Sequence, residues 1–303
     1  LRSARIVRIG EVAPTFLNIA ANHARLRALA GVEVEVAPLG PWMREVRHLR
    51  DTDPEGRVTA AEHAIRAAAP VEGVSVADVR TSAALYLAMR DTAQRHGAHA
   101  LALRDWPELQ HDLGVHPGMA MSWLDEAHAI PVAAEGDVGG AVSMLAARAA
   151  SREAAMLLDV NDIDDEHDAL LAWHCGGSPL AIADETGSRW TNHTTLTQPN
   201  GDPMGAVADL RFAKGPVTLL RIDDDGRRWF VVEADVVDHP EPGFDGSRGW
   251  LSRFQHRDGP MRARDVAETL LAEGIEHHVA LVPTHVAAAL RTAAAMLGVP
   301  TVR

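Results

Sequence analysis

The sequence predicts an α/β protein in two parts: a doubly wound parallel layer over residues 1–155 and a β-rich antiparallel part over residues 156–303. Three observations carry that expectation. Strand-like runs alternate with helical sequence in the first part, the order a parallel sheet requires because its strands need long crossover connections. Beyond about residue 180 that alternation gives way to short β-rich runs separated by turn residues. The length, 303 residues with 47% hydrophobic residues, suits about two domains.

The elements follow in order. ARIVRIG (residues 4–10) and VEVEVAPLG (residues 32–40) read as strands with helical sequence between them. Thr59 with Glu62 forms a capping box ahead of one helix, and Ser75 with Asp78 does the same ahead of a longer one reaching His96. AHALALRDWP, from Ala98, reads as a strand that ends in a loop. In the second part AVADLRF, VTLLRI and RWFVVEADVV read as strands, and DDDG (Asp223 to Gly226) between two of them is a hairpin turn. Its acids are contiguous, whereas a calcium loop of the EF-hand type alternates them. THVAAALRTAAAMLG closes the chain as a helix with Val286, Leu290, Ala294 and Leu297 on one face and a stop at Gly298.

A formal charge of −13, from 29 basic and 42 acidic residues, argues against nucleic acid or an anionic membrane surface as partner, because a footprint for phosphates needs a basic excess. No apolar stretch approaches the roughly 20 residues needed to span a bilayer. The single cysteine, Cys175, excludes an internal disulfide framework and fits a reducing, cytoplasmic setting. The chain opens at Leu1 inside a strand-like run, so the expectation is that it is the later part of a longer protein.

The motifs for phosphate loops, dinucleotide binding, zinc proteases and serine nucleophiles are all absent. Cys175 adjoins His174, but neighbours in an extended segment point to opposite faces, which speaks against a Cys-His pair. What remains is a set of acids and histidines that end or open apolar runs: Glu135 in AAEGDVGGAVSML, Asp159 after AAMLL, His174 in LLAWHCGG and His278 in EHHVALV. An ionised carboxylate at the edge of a core is costly unless it is paired or coordinated, and few basic residues lie nearby in sequence. A divalent cation would offset the charge; two carboxylates plus imidazole suit Mn²⁺, with Co²⁺ or Mg²⁺ as substitutes. Each residue also has a plainer reading. Asp137 suits a helix start, the acids following Asp159 suit a solvated loop, His174 suits a hydrogen-bonded core, and only one of His277 and His278 can face a given site from a strand.

The ordered series DWP (105–107), HPGMAMSWL (116–124), IPVAAEGDVGGAVSML (130–145), LLDVND (157–162), HCGGSP (174–179), FAKGPVTLLRI (212–222) and EHHVAL (276–281) resembles the L-fucose isomerase and L-arabinose isomerase superfamily. The resemblance covers nearly all of the chain and is closer to the fucose isomerase branch, because the second acid is Asp. It implies a Rossmann-like layer followed by a barrel-like domain, and an aldose-ketose isomerase working through a cis-enediol. Glu135 and Asp159, 24 residues apart, would bind Mn²⁺ and share the acid/base work, with His278 and His174 as further ligands. It also implies a homo-oligomer, a trimer or hexamer, in which an N-terminal domain not found in this sequence closes a neighbour's pocket. Ala134 and Asp105 stand where the family often has Cys, which leaves the sugar open. Trp106, Trp123, Trp173 and Trp190 are candidates for stacking on that sugar, core packing being the other use of a tryptophan. A metal-dependent epimerase or lyase acting through the same enediolate, or a non-catalytic sugar-binding module, are the alternatives.

Overall fold

The computed structural model describes residues 1–14 and 16–302. Its first sheet is parallel, formed by β1 (Arg5–Ile9), β2 (Glu33–Ala37), β3 (Ala100–Leu103) and β4 (Val132–Ala133) in the order β2-β1-β3-β4. The four apolar residues of β3 are all buried, as an inner strand of a covered parallel sheet requires. Between the strands run α1 (His23–Ala30), α2 (Leu39–Thr52), α3 (Arg57–Ala68), α4 (Val76–His96), α5 (Glu108–Leu113) and α6 (Gly118–His128), and α7 (Val138–Ser151) follows β4. The strand expected over residues 32–40 stops at Ala37, because Pro38 caps α2 and its ring suits a helix start.

One cap differs from expectation. Helix α3 begins at Arg57, ahead of Thr59, and the carboxylate of Asp53 accepts the N–H groups of Val58 (2.6 Å) and Thr59 (3.3 Å). Ser75 caps α4 as read, accepting the Asp78 N–H at 3.0 Å, and the helix ends at His96.

The second sheet contains β5 (Met156–Asp164), β6 (Ala169–His174), β7 (Ala183–Thr197), β8 (Pro203–Phe212), β9 (Gly215–Ile222), β10 (Trp229–Val237), β11 (Ser247–His256), β12 (Gly259–Pro260) and β13 (His278–Val282). Its order is β10-β9-β13-β5-β6-β11-β8-β7, with β12 on β11, and a further pairing of β10 with β11 closes six of the strands into a ring. The pairings are antiparallel apart from β8 with β11. Helices α8 (Ala263–Ala272) and α9 (Ala287–Met296) complete this part. DDDG makes the β9–β10 turn, closed by the Gly226 N–H on the Asp223 carbonyl at 2.7 Å.

The acidic stretch after Asp159 is a turn only in its second half, where residues 165–168 carry Asp165, Glu166 and Asp168. Strand β5 runs through it to Asp164, with a bulge between Val160 and Asp162 where it pairs with β6. Its acids are tolerated because this end of the strand is half-exposed, while Met156, Leu157 and Leu158 are buried.

Helix α7 ties the two sheets together. Its Val138, Ala141 and Val142 lie in one buried cluster with Ile6 and Ala100 of the first sheet and Leu220 and Ala280 of the second. Burying aliphatic side chains from both sheets in one cluster stabilises the junction by about 25 cal/mol per Å² removed from water. The ends of β4, β5 and β13 are thereby held close to one another. Trp190 corrects one expectation: its side chain is 0% exposed and its indole N–H donates to the Ile65 carbonyl at 2.9 Å, so it presents no face to a sugar and serves the core.

Candidate active site

The first sheet delivers two acids from the carboxyl ends of neighbouring strands, where ligands of open α/β sheets bind. Asp105 follows β3 and Glu135 follows β4 in the turn Ala134–Gly136. Glu135 has φ 60° and ψ 12°, a left-handed conformation that a residue with a Cβ adopts at a cost. The Asp105 carboxylate holds it there by accepting the Glu135 N–H at 2.6 Å. Asp105 is buried, and burial followed by the charge of Glu135 pushes its carboxyl up to about 7.

The second sheet brings the partners. His278 opens β13 and pairs with Asp159 of β5, which pairs on its other side with Trp173 of β6. His278 Nε2 is 3.7 Å from Glu135 Oε2 and 3.7 Å from Asp159 Oδ1. The His278 side chain is 0% exposed, and its Nε2 has no hydrogen-bond partner among the described residues. Burial pulls the ring's pKa down, but the hydrogen bond to Asp137 and the charges of Asp159, Asp137 and Glu135 outweigh it and hold the pKa at about 9. Asp159 is also moved upward, in its case by burial, with the His278 and His277 charges opposing.

His277 reaches the same site. Its Nε2 lies 3.2 Å from Glu135 Oε2. The expectation that only one histidine of the pair can face the site fails because β13 begins at His278, so strand alternation does not extend to His277.

Behind the site lies a residue the sequence reading passed over. Arg221, next to the last residue of β9, is 0% exposed and binds three acids: Asp137 at 2.5 Å, Asp224 at 2.8 Å and Glu276 at 3.2 Å. The expected shortage of basic residues is thus corrected, since β9 supplies one from far along the chain. Asp137 also caps α7 through the Gly140 N–H at 2.7 Å, as read from the sequence, and accepts from His278 Nδ1 at 3.0 Å. Burial would raise its pKa, but Arg221 and His278 hold the carboxyl well below the usual carboxylate range. Gly139 and Gly140 are what let this network approach the helix. A Cβ on Gly139 would lie 2.8 Å from Arg221 Nη2, and one on Gly140 would lie 2.5 Å from Asp137 Oδ2.

His174, at the end of β6, has its ring centroid 5.4 Å from that of His278 and offers a nitrogen close to Asp159. Burial, then the charges of His278, His277 and His193, lower its pKa to about 3. Contrary to expectation, Cys175 does meet His174, with Sγ 3.3 Å from Nδ1. The chain turns directly after β6, with the Gly176 N–H on the His174 carbonyl, so the alternation of an extended strand has already ended.

The remaining tryptophans divide. Trp173, beside Asp159 in register, is half-buried and donates its indole N–H to the Asp245 carbonyl at 2.9 Å. Trp106, next to Asp105, is half-buried. Trp123 packs against the core on α6, with its ring 6.5 Å from Tyr86.

Residues from both sheets thus form two groups that could hold an ion, Glu135 with His277 and His278, and Asp159 with His174 and His278. The donor set fits a divalent cation on one observation above the others. The orphaned Nε2 of His278 points between two carboxylates, while its Nδ1 is anchored on Asp137, the arrangement in which an outer carboxylate orients a ligating imidazole.

Fold and site define an α/β protein of two sheets with a carboxylate–imidazole cluster at their junction. Residues 173–303 match the family described as L-fucose isomerase, C-terminal domain, and the resemblance read from the sequence stands on that match. Over 287 residues, or 93% of its length, the chain is 28% identical to sulfoquinovose isomerase from Priestia aryabhattai. It is 27% identical, over 100% of its length, to sulfoquinovose isomerase from Alkalicoccus urumqiensis. The chain spans 60% of the first of these relatives and 65% of the second.

Proposed function

We propose that the chain is the metal-holding part of an aldose–ketose isomerase, with Glu135, Asp159 and His278 as ligands of a divalent cation and the two carboxylates as the acid/base pair. The observation that carries this reading is the unpartnered His278 Nε2 set 3.7 Å from each carboxylate. The similarity to sulfoquinovose isomerases makes sulfoquinovose the first sugar to test. The parallel layer is read as Rossmann-like and the closed ring as the barrel of the second domain, divided near residue 155. The assembly is read as a homo-oligomer.

Moving a carbonyl between C1 and C2 requires removing a proton from a carbon that is only weakly acidic and returning one to its neighbour. A bound Mn²⁺ supplies positive charge for the oxygens on which negative charge develops. Glu135 and Asp159 flank one point, so a sugar held there has a carboxylate within reach of either carbon. One accepts the proton and the other group returns it, passing through a cis-enediol. The left-handed turn at Glu135, locked by Asp105, fixes that carboxylate before substrate arrives, and Trp173 lies beside Asp159 to cover a sugar face.

The test is a screen of sulfoquinovose and common aldoses with Mn²⁺, reading ketose formation and exchange of the C2 proton with deuterated water. Ketose with exchange is the expected result; Mn²⁺ binding with no exchange for any sugar would overturn the isomerase reading.

A further inference from the structure

His116, Cys175 and His193 form a second cluster whose nitrogen and sulfur atoms lie within 4.8 Å of one another, beside the site just described. Its composition suggests a soft-metal site, but hydrogen-bond accounting does not. His116 Nδ1 accepts the Gly118 N–H at 3.1 Å, and His193 Nδ1 accepts those of Thr195 at 3.1 Å and Leu196 at 3.2 Å. A ring nitrogen that accepts carries no proton, so in each neutral ring the proton sits on Nε2. Ligation through Nε2 would then require two imidazolates.

The same accounting continues into the main site. His116 Nε2 is 3.3 Å from Cys175 Sγ and is the donor of that pair. Among the described residues the sulfur's other hydrogen-bond contact is His174 Nδ1, also at 3.3 Å. A thiol has one proton to give. If His174 Nδ1 donated, the sulfur would accept twice and its own proton would have neither ring to bond. If the thiol donates, each group gives one proton and accepts one. His174 Nδ1 is then the acceptor and its Nε2 carries the proton.

We infer that His174 serves the site as an Nε2–H hydrogen-bond donor to an oxygen of the substrate and not as a metal ligand, and that Cys175 and His116 are the positioning residues that fix this tautomer. The inference rests on the proposed metal and sugar site. It revises the expectation that His174 is a ligand and keeps His278 as the imidazole proposed for the metal. The ligand addressed is a polyhydroxylated or sulfonated sugar, whose oxygens accept hydrogen bonds.

Two measurements on the full chain test this. Pulsed electron paramagnetic resonance on the Mn²⁺-loaded protein, labelled with ¹⁵N-histidine, counts coordinated imidazoles. The count should fall by one in His278→Gln and stay unchanged in His174→Gln, with Mn²⁺ affinity in the latter within about threefold. A coordinated imidazole that disappears in His174→Gln, or a tenfold loss of affinity in that variant, would overturn the inference while leaving the metal reading intact; no Mn²⁺ binding at all would remove both. Long-range ¹H–¹⁵N spectra of the Mg²⁺-loaded protein read the tautomers directly. His116 and His174 should both show Nε2–H, His174 should keep it in Cys175→Ser, which retains a donor, and lose it in Cys175→Ala. A protonated Nδ1 on His174 in the unaltered protein, or a tautomer indifferent to both substitutions, would refute the role given to Cys175.

Discussion

Metal binding at this site should be a proton exchange. Without a cation, His278 is held at a pKa of about 9 by the hydrogen bond to Asp137 and the charges of Asp159, Asp137 and Glu135, acting against burial. A ligating imidazole must give up its Nε2 proton, so at pH 7 each Mn²⁺ bound should release close to one proton. The gap between pH 7 and about 9 makes the apparent affinity at pH 7 about a hundredfold weaker than its alkaline plateau, about 2.7 kcal/mol, with about tenfold gained per pH unit in between. The metal-free protein should show the opposite trend. The folded pKa lies above the ordinary value of 6.5, so the stabilisation from His278 is complete below about 6.5 and is lost as pH rises through 9, about 3 kcal/mol in all. Asp224, pushed up to about 8 by burial, acts in the same direction, its contribution falling as pH rises from its ordinary value of 3.8 to about 8 and levelling off above that. Titration calorimetry in buffers of different ionisation enthalpy reads the released protons, and His278→Asn isolates the histidine from Asp224. Fewer than about 0.2 protons released at pH 7, or an affinity flat from pH 6 to 9, would show that His278 is not the group displaced.

Three further outcomes are expected. Glu135→Gln and Asp159→Asn should each lower ketose formation by at least about a hundredfold while far-ultraviolet circular dichroism stays unchanged; turnover near the unaltered level would take that residue out of the mechanism. Arg221→Met leaves Asp137 buried without its cation and should cost about 3–5 kcal/mol in urea unfolding, with weaker Mn²⁺ binding because the anchor of His278 Nδ1 is disturbed. Trp190→Ala should cost about 3–5 kcal/mol while leaving Mn²⁺ affinity within twofold, since the side chain fills core and not the site; a selective loss of metal affinity would contradict that placement.

The parts of the fold that were legible are those in which local pattern and tertiary role agree. Ser75 caps the helix it was assigned to, β1 and β3 fall where alternation and apolar runs put them, and DDDG turns the chain because Asp and Gly suit a hairpin whatever surrounds them. Thr59 was misread because its cap, Asp53, lies beyond the window of a capping box. The acids after Asp159 suggest a loop, which holds for Asp165, Glu166 and Asp168 in the turn after β5 and fails for Asp162 and Asp164, because charge pattern does not reveal that the far end of β5 is half-exposed, where a strand can carry them. Glu135, Asp159, His174 and His278 stood out because each ends or opens an apolar run, and the structure gathers them. Arg221 was passed over, although an arginine inside VTLLRI was itself a signal: a guanidinium in a buried strand needs buried acids, and three were waiting.

The two carboxylates of the candidate acid/base pair are held by different means, and this separates the roles of the two sheets. Glu135 takes its place from a left-handed backbone and from Asp105, both belonging to the first sheet. Asp159 and His278 take theirs from the ladder between β5 and β13 in the second. Arg221 and Asp137 join the halves, one on β9 and the other capping α7, and Asp137 passes that connection to His278 through Nδ1. A shift of one sheet against the other would therefore move Glu135 relative to Asp159 without breaking either sheet. The buried Arg221–Asp137 pair opposes such a shift, because sliding it apart would leave two buried charges unpaired. The Gly-Gly step of α7 follows from the same requirement: only residues without a Cβ let the guanidinium and the capping carboxylate approach the first turn of the helix this closely.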